Sequence, residues 1–466
     1  MGKKYDFDYI IIGSGPAGST TALNLAKAKK HVALIEGNGF GGSNLNTRDI
    51  PYGVSLGFSH TFAKFARYPE INRQNLHFNF PSVASHQARV ISALGGNDTK
   101  PYESAGITCI KGYANFLDNH TVAVGSEQYS AKDFIIATGS HLKTGEISGL
   151  DTVQYLTPET AIKVRRLPRV AFVIGGGASG CEIAEYYAEL GVKVLIMELK
   201  DRLLPREDAE VGACLKSYFE KELGMMVVLD SKVIAIEPHG STKRVVFTTN
   251  GRERMVTVDC VVVATGSEPN TDLGLENAGV KYKRTGIITD KLLQTSAKNI
   301  YAIGDCLGKN SSTERAEYEA SVLTANLTTR SKNLLSYTGF IRKTNTYPEV
   351  AVIGLNEVDL LKRDRKHKTS IVYLKDLPAS AIERCNYGFV KILADNHSDR
   401  ILGATIVAPQ ATYIASELSL ALRHHLTALT LASTPHIANS FAYAIKLAAK
   451  DLVKPGKKVS EKPAKK

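Results

Sequence analysis

The chain has 466 residues, 43% apolar and 22% charged, and a formal net charge of +12. That length accommodates two to four domains with buried cores, and the composition is ordinary for a soluble globular protein. Apolar runs such as Tyr9–Ile12 and Val261–Ala264 fall far short of the ~20 residues that cross a bilayer. The opening MGKKYDFDYIIIG enters a strand directly, with neither an apolar leader nor an arginine-rich presequence, so a cytoplasmic location is expected.

In chain order, Asp8–Gly13 is a short apolar run suited to a strand buried on both faces of a parallel sheet. It leads into Gly13-Ser-Gly15-Pro-Ala-Gly18, a helical stretch over Thr21–Lys29, and a second strand, His31–Ile35, that ends in Glu36. This is the full strand–turn–helix–strand setting of a dinucleotide site. Gly13 permits the tight turn, Gly15 lets the backbone approach a pyrophosphate, and Gly18 lets helix and strand pack closely. The helix start offers free N–H groups to phosphate, and Glu36 can accept hydrogen bonds from a ribose diol.

The stretch Gly41–Gly53, GGSNLNTRDIPYG, reads as a loop and is followed by a helix over Tyr52–Arg67. A less regular region leads to strands at Thr108–Phe116, Thr121–Val124 and Phe134–Gly139. A second module then repeats the first. Val170–Gly175 is its strand, Gly175-Gly-Gly177-Ala-Ser-Gly180 its turn, Cys181–Leu190 its helix, and Val192–Met197 the strand that ends in Glu198. From first glycine to acidic residue the offset is 23 residues in both copies. Val261–Gly266 repeats the Ala-Thr-Gly ending of Phe134–Gly139. Two dinucleotide modules in one chain suggest electron transfer between their ligands. Glu198 favours NAD(H) over NADP(H), because a carboxylate there accepts from the 2′- and 3′-hydroxyls and repels a 2′-phosphate; Lys200 and Arg202 soften that preference. Further on, an extended segment over Ile287–Thr295 precedes Asn299–Asp305, where Asp305 can reach a polyol chain.

Six cysteines, Cys109, Cys181, Cys214, Cys260, Cys306 and Cys385, form no CxxC or CxxxxC pair. They read as inert thiols in a reducing compartment. The last thirteen residues carry six lysines and one glutamate, which leaves +7 on the rest of the chain. This tail is expected to be disordered and solubilising. Contact with nucleic acid or an anionic surface is its alternative role, weakened by the lack of aromatic residues among the lysines.

As a set, GSGPAG (13–18), GGSNLNTRDIP (41–51), ATG (137–139), GGGASGCE (175–182), ATGSEPNT (264–271), AIGD (302–305) and AEYE (316–319) resemble the pyridine nucleotide–disulfide oxidoreductases. TYPEVAVIG (346–354) and the stretch 386–409 resemble that family's dimerisation domain. The resemblance implies an α/β fold with two Rossmann-like dinucleotide-binding domains and a C-terminal α+β dimerisation domain. It assigns 1–155 and 286–335 to FAD, 156–285 to NAD, 336–450 to dimerisation and 451–466 to the tail. FAD would be held by Gly13, Gly15, Gly18, Glu36, Gly42, Gly112, Ala114, Thr138, Gly139, Gly304 and Asp305. The nicotinamide cofactor would be held by Gly175, Gly177, Gly180, Glu198 and Gly266. Glu182 matches the family's glutamate beside nicotinamide and flavin, and a homodimer is implied.

The departures concern chemistry. The family's loop reads GGTCLNVGCIPSK; laid on this chain without gaps, its two cysteines fall on Asn44 and Asp49 and its lysine on Gly53. Its C-terminal base histidine falls on Ala438 and the orienting glutamate on Tyr443, while the outer histidine is kept as His436. A disulfide relay cannot be built from Asn and Asp, and alanine cannot act as the acid–base. The expectation is therefore an NADH-dependent flavoprotein that reduces a non-disulfide small molecule, a quinone, oxygen or another oxidant, with Glu182, Asn44, Asp49 and Arg48 at the reacting centre. The alternatives are exchange between pyridine nucleotides, as in a transhydrogenase, and a non-catalytic FAD-binding regulator or scaffold. His60 and His436 are candidate substitute acids, more simply read as ordinary surface or core histidines. His424 and His425 lack metal-ligand spacing, and no metal is expected.

Overall fold

Continuous apolar runs must be covered on both faces, and Tyr9–Ile12, within the strand Phe7–Ile12, and Val170–Ile174 each sit inside a parallel sheet. The computed structural model describes residues 4–72, 77–308, 312–330 and 332–453. In the first sheet Phe7–Ile12 pairs in parallel with Val32–Glu36 on one side and Glu127–Ile136 on the other. Thr108–Lys111 and Ile300–Ala302 extend the parallel order outward. The late strand thus returns to the first sheet after the whole second module has been made. An antiparallel meander, Ala114–Asp118 and Thr121–Val124, completes this sheet.

The second sheet repeats the plan. Val170–Ile174 lies between Lys193–Met197 and Cys260–Val263, with Met226–Val228 at the edge, all parallel. A three-stranded antiparallel sheet over 231–258 packs beside it. The C-terminal part is a five-stranded antiparallel sheet ordered Ile341–Thr344, Glu349–Gly354, Ile401–Ala408, Phe389–Asp395, His367–Tyr373. The helices Ala411–Arg423 and Tyr443–Val453 bury their apolar stripes against this sheet. The last helix ends at Val453 and so takes in the first three residues, 451–453, expected to belong to the tail. Residues 454–466, the lysine-rich tail, lie outside the described residues.

Several expectations need correction. Gly41–Gly53 is largely helical rather than a loop: Gly42–Asn46 forms one short helix and Asp49–Ala66 another. Pro51 falls in the first turn of the longer helix, where its missing N–H has no partner to lose. Inward positions Tyr52, Leu56, Ser59 and Ala63 recur at helical spacing and bury this helix against the second module. The region read as less regular holds a further helix, Phe80–Ala93. Only Val83 and Gln87 are buried on it; Gln87 fixes it by donating to the Pro51 carbonyl (3.1 Å) and to Ser55 Oγ (3.0 Å). Thr108–Phe116 is two strands broken at Gly112, whose φ of +148° turns the chain. Of Ile287–Thr295 only the first residue belongs to a strand.

A buried ion cluster ties the C-terminal sheet to the second module. Lys391, fully buried, places its ammonium 3.0 Å from Asp208, 3.2 Å from Glu210 and 2.6 Å from Glu357. Lys391→Met leaves three carboxylates without their cation and is expected to cost roughly 3–5 kcal/mol, read from chemical denaturation. A loss below about 1 kcal/mol would show that water already screens the cluster.

Candidate functional site

The two glycine turns are built alike. Gly13 has φ +102° and Gly175 φ +108°, a backbone that side-chain-bearing residues avoid. A methyl on Gly18 would strike the Gly13 carbonyl, and one on Gly180 would strike that of Gly175. By contrast, a Cβ on Gly15 or on Gly177 would meet nothing within 4 Å. These middle glycines cap the helices Pro16–Lys27 and Ala178–Glu189, and neither helix start has a side-chain cap. Each turn therefore offers uncapped N–H groups beside open space, the geometry that suits a pyrophosphate.

The acidic residues close the pattern. Glu36 accepts from the Ser14 N–H (2.9 Å) and hydroxyl (2.7 Å) with one oxygen and from the Asn38 N–H (2.8 Å) with the other. Glu198 accepts from the N–H groups of Gly176 (2.6 Å) and Lys200 (2.9 Å). Both carboxylates are clamped at the strand end by backbone amides, with lone pairs left for a diol. The Gly112 N–H donates to the Glu36 carbonyl, and Tyr113 covers Gly37 and donates to Asn38 Oδ1. Gly112 and Ala114 thus stand next to the Glu36 strand end.

The contrast between glycines gives a test. Gly18→Ala is expected to unfold or strip the first module, because the added methyl meets backbone. Gly177→Ala is expected to leave the fold and thermal melting unchanged while weakening pyridine nucleotide binding at least tenfold, measured by titration calorimetry. Equal effects of the two substitutions on melting would contradict the assignment.

The segment 41–53 lies against the first turn. The Gly41 N–H donates to Ser14 Oγ (3.1 Å), and a Cβ on Gly42 would overlap Gly15. At its far end Asn44 Nδ2 donates to Asp49 Oδ2 (2.9 Å), while Thr313 Oγ1 contacts both Asn44 Nδ2 and Asp49 Oδ2 at 2.5 Å. Asn44 and Asp49 are thus brought together, and Thr313, at the start of the helix Thr313–Thr328, joins them. Arg48 does not stand free beside them: its Nε is 2.8 Å from Glu159 Oε1. A methyl added at Gly53 would meet nothing within 4 Å, so the position has room for a side chain that this chain does not supply.

Glu182, on the helix of the second turn, is 6% exposed. Its Oε1 accepts from the backbone N–H (2.7 Å) and the side-chain amide (3.0 Å) of Asn345. Burial, reinforced by the negative charge of Asp49, pushes the Glu182 carboxyl up to about 7; the Asn345 bonds and, more distantly, Lys343 oppose the rise. Tyr52 is buried in the same neighbourhood, its phenol raised by burial and by Glu159 and Glu182. Asp305 accepts from Ser140 Oγ (3.3 Å), and the Gly304 N–H is held by Glu319 Oε2 (2.7 Å). Glu319 is itself fixed by Arg315 (2.6 Å) and Tyr337 (2.6 Å). Asn270 ties the two modules, donating to the Thr138 carbonyl from its side chain (2.7 Å) and to the Gly139 carbonyl from its N–H (2.9 Å). Gly266 accepts from the Lys143 N–H (2.9 Å).

Sequence reasoning missed Thr313, Asn345, Glu159, Asn270 and the role of Glu319. Of these only Glu319, in AEYE, and Asn270, in SEPNT, sat inside a quoted motif. His436 is buried, its Nε2 3.0 Å from Glu417 Oε1 but misaligned for a hydrogen bond, and its Nδ1 is 3.0 Å from the Thr434 carbonyl. His60 is neither a surface nor a plain core histidine. It faces the carboxylates Glu185 and Glu189. Among the described residues all six cysteines are free thiols.

Two matched glycine cradles, with an acidic residue at the end of each second strand, define a protein of the two-dinucleotide oxidoreductase class. Residues 7–320 match the pyridine nucleotide-disulphide oxidoreductase family and residues 342–449 its dimerisation domain, and the chain belongs to that FAD-dependent, NAD(P)H-linked family of flavoprotein oxidoreductases. A mercuric reductase of Lysinibacillus sphaericus is 30% identical over 95% of this chain and 82% of its own length. A dihydrolipoyl dehydrogenase of Staphylococcus aureus is 31% identical over 92% and 93%. Among solved structures, the Cu(II) complex of the HOCl-induced flavoprotein disulfide reductase RclA from Escherichia coli aligns with a TM-score of 0.85, 23% identity and coverage of 97% of this chain and 100% of that one. LpdA from Mycobacterium tuberculosis aligns with a TM-score of 0.83 at 23% identity, covering 96% and 100%. No described helix is long and apolar enough to cross a membrane.

Proposed function

We propose that this protein is an FAD-dependent NADH oxidoreductase whose electron acceptor is not a disulfide but a quinone, oxygen or another small oxidant. The observation that carries this reading is the hydrogen-bonded group Asn44–Asp49–Thr313 at the positions where the family resemblance sets a redox cysteine pair. Bound FAD would supply the two-electron centre between nicotinamide and acceptor.

The chain's own residues do the rest. Gly13, Gly15 and Gly18 cradle the FAD pyrophosphate, with Glu36 at its ribose, Gly112 and Ala114 at its adenine, and Gly42, Thr138, Gly139, Gly304 and Asp305 along its length. Gly175, Gly177, Gly180 and Gly266 hold the nicotinamide nucleotide. Glu198 selects NADH, because a 2′-phosphate would bring negative charge against its clamped carboxylate. Glu182 holds or gives up a proton near neutrality beside the nicotinamide. Asn44, Asp49 and Thr313 present acceptor and donor groups, not a nucleophile, to the oxidant. The dimerisation domain makes a homodimer the working form.

The relatives are named for mercury and dihydrolipoyl chemistry, and both differ from this reading in the acceptor. Steady-state assays with NADH and a panel of quinones, oxygen, oxidised lipoamide, glutathione disulfide and Hg(II) test it. Turnover with the quinones or oxygen supports it, and efficient turnover restricted to disulfides or Hg(II) overturns it.

A further inference from the structure

Away from the dinucleotide turns, the helices Asp49–Ala66 and Ala178–Glu189 hold a second cluster between them. His60 comes from the first, and Glu185 and Glu189, one turn apart, come from the second. Both glutamate side chains are fully buried, and His60 is 21% exposed along one edge. His60 Nε2 stands 3.6 Å from Glu185 Oε2 and 3.7 Å from Glu189 Oε2. Neither His60 Nε2 nor either oxygen of Glu189 makes a hydrogen bond of good geometry, although the Ser59 hydroxyl lies beside Glu189. We propose that His60, Glu185 and Glu189 form a binding site for one divalent transition-metal ion of the zinc class.

Three observations support it. The separations exceed a hydrogen bond but suit a shared ion: with bonds of about 2.1 Å, two ligand atoms of a tetrahedral zinc lie about 3.4 Å apart. A bridging water, with longer contacts of about 2.8 Å, would hold its partners farther apart. The three ligand atoms lie within 4.8 Å of one another. Second, the ligands are oriented from behind, since the Tyr347 N–H donates to both oxygens of Glu185 (2.8 and 2.9 Å). Third, the site is short of positive charge. Arg67 approaches Glu189 only to 3.9 Å; its Nη2 donates to Tyr218 OH (2.9 Å), its guanidinium lies over the face of Tyr347 (3.5 Å), and its Nη1 is buried without a hydrogen-bond partner.

The groups facing the site are Glu182 along the same helix, Arg67 and Tyr218, with Ser59 beside Glu189. Burial first and then the neighbouring Glu185 push the Glu189 carboxyl up. The ion would pin the helix that carries Asp49 to the helix that carries Glu182, so its occupancy would set the distance between the two sides of the redox site. His60 keeps one exposed edge for a water as fourth ligand.

The test is titration of the chelator-washed, FAD-replete protein with Zn2+ by calorimetry, with Co2+ as a spectroscopic probe. The expected result is one Zn2+ per chain, tetrahedral Co2+ absorption and a higher melting temperature. His60→Ala and Glu189→Gln should each weaken Zn2+ binding at least tenfold, with FAD content reporting that each variant is folded. If Glu189→Gln fails to fold, His60→Ala with the Co2+ absorption decides alone. Zn2+ binding unchanged by His60→Ala, or no stoichiometric binding at pH 8, overturns the proposal.

Discussion

Glu182→Gln is expected to slow flavin bleaching by NADH about a hundredfold, the usual scale for losing a positioned acid–base group, and to abolish the pH dependence near 7. In the unsubstituted protein the bleaching rate should rise as pH passes through about 7, because ionised Glu182 stabilises the positive charge that develops on an oxidised nicotinamide. The shift has a cause specific to this chain. Gly53 brings no ammonium to Glu182, so burial and Asp49 act against only the two Asn345 donors and a distant Lys343. The raised pKa also bears on stability. The folded state prefers the protonated carboxyl, so its contribution is complete below the ordinary value of 4.5 and is lost as pH rises through about 7. The loss is on the order of 3 kcal/mol, and Glu182→Gln should flatten melting temperature across that window. Rapid mixing at a series of pH values measures the first effect. A midpoint near 7 that survives the substitution would assign the ionisation to another group.

The second large effect concerns the acceptor. With NADH as donor, oxidised lipoamide and glutathione disulfide should turn over at least a thousandfold more slowly than a soluble quinone. Thiol–disulfide exchange requires a thiolate at the reacting centre. The described cysteines are dispersed, and burial is the leading cause that raises the thiols of Cys109, Cys181, Cys214, Cys260, Cys306 and Cys385. Asn44→Cys combined with Asp49→Cys should restore a disulfide, because the family resemblance sets the redox cysteine pair at those two positions and their side chains already face each other. The double variant is expected to gain two titratable thiols on reduction by NADH. Thiol counts that do not change on reduction would show that the two positions do not communicate with the flavin.

The parts legible in the sequence are those fixed by local backbone demands. The glycine spacing, the buried strands and the acidic strand ends Glu36 and Glu198 announce themselves because each needs a particular residue type at a fixed offset. The 41–53 segment was harder. It carries three glycines and a proline, which read as a loop, yet Gly41 and Gly42 make the turn, Gly53 lies inside the longer helix and Pro51 sits harmlessly in its first turn. The helix Phe80–Ala93 hides because only two of its residues are buried, one of them Gln87. The site residues that escaped notice are those whose partners are distant in sequence. Thr313 reaches Asn44 across 269 residues and Asn345 reaches Glu182 across 163. No local periodicity records such pairings. His60 is the same case, since its meaning depends on two glutamates over a hundred residues away.

The most direct measurement is an anaerobic titration of the FAD-bound protein with NADH, followed by rapid mixing of the reduced protein with a quinone, oxygen and oxidised lipoamide in parallel. The account predicts bleaching with one equivalent of NADH per flavin, prompt reoxidation by the quinone or oxygen, and no reoxidation by lipoamide. Uptake of two equivalents per flavin, or reoxidation by lipoamide as fast as by quinone, would contradict it.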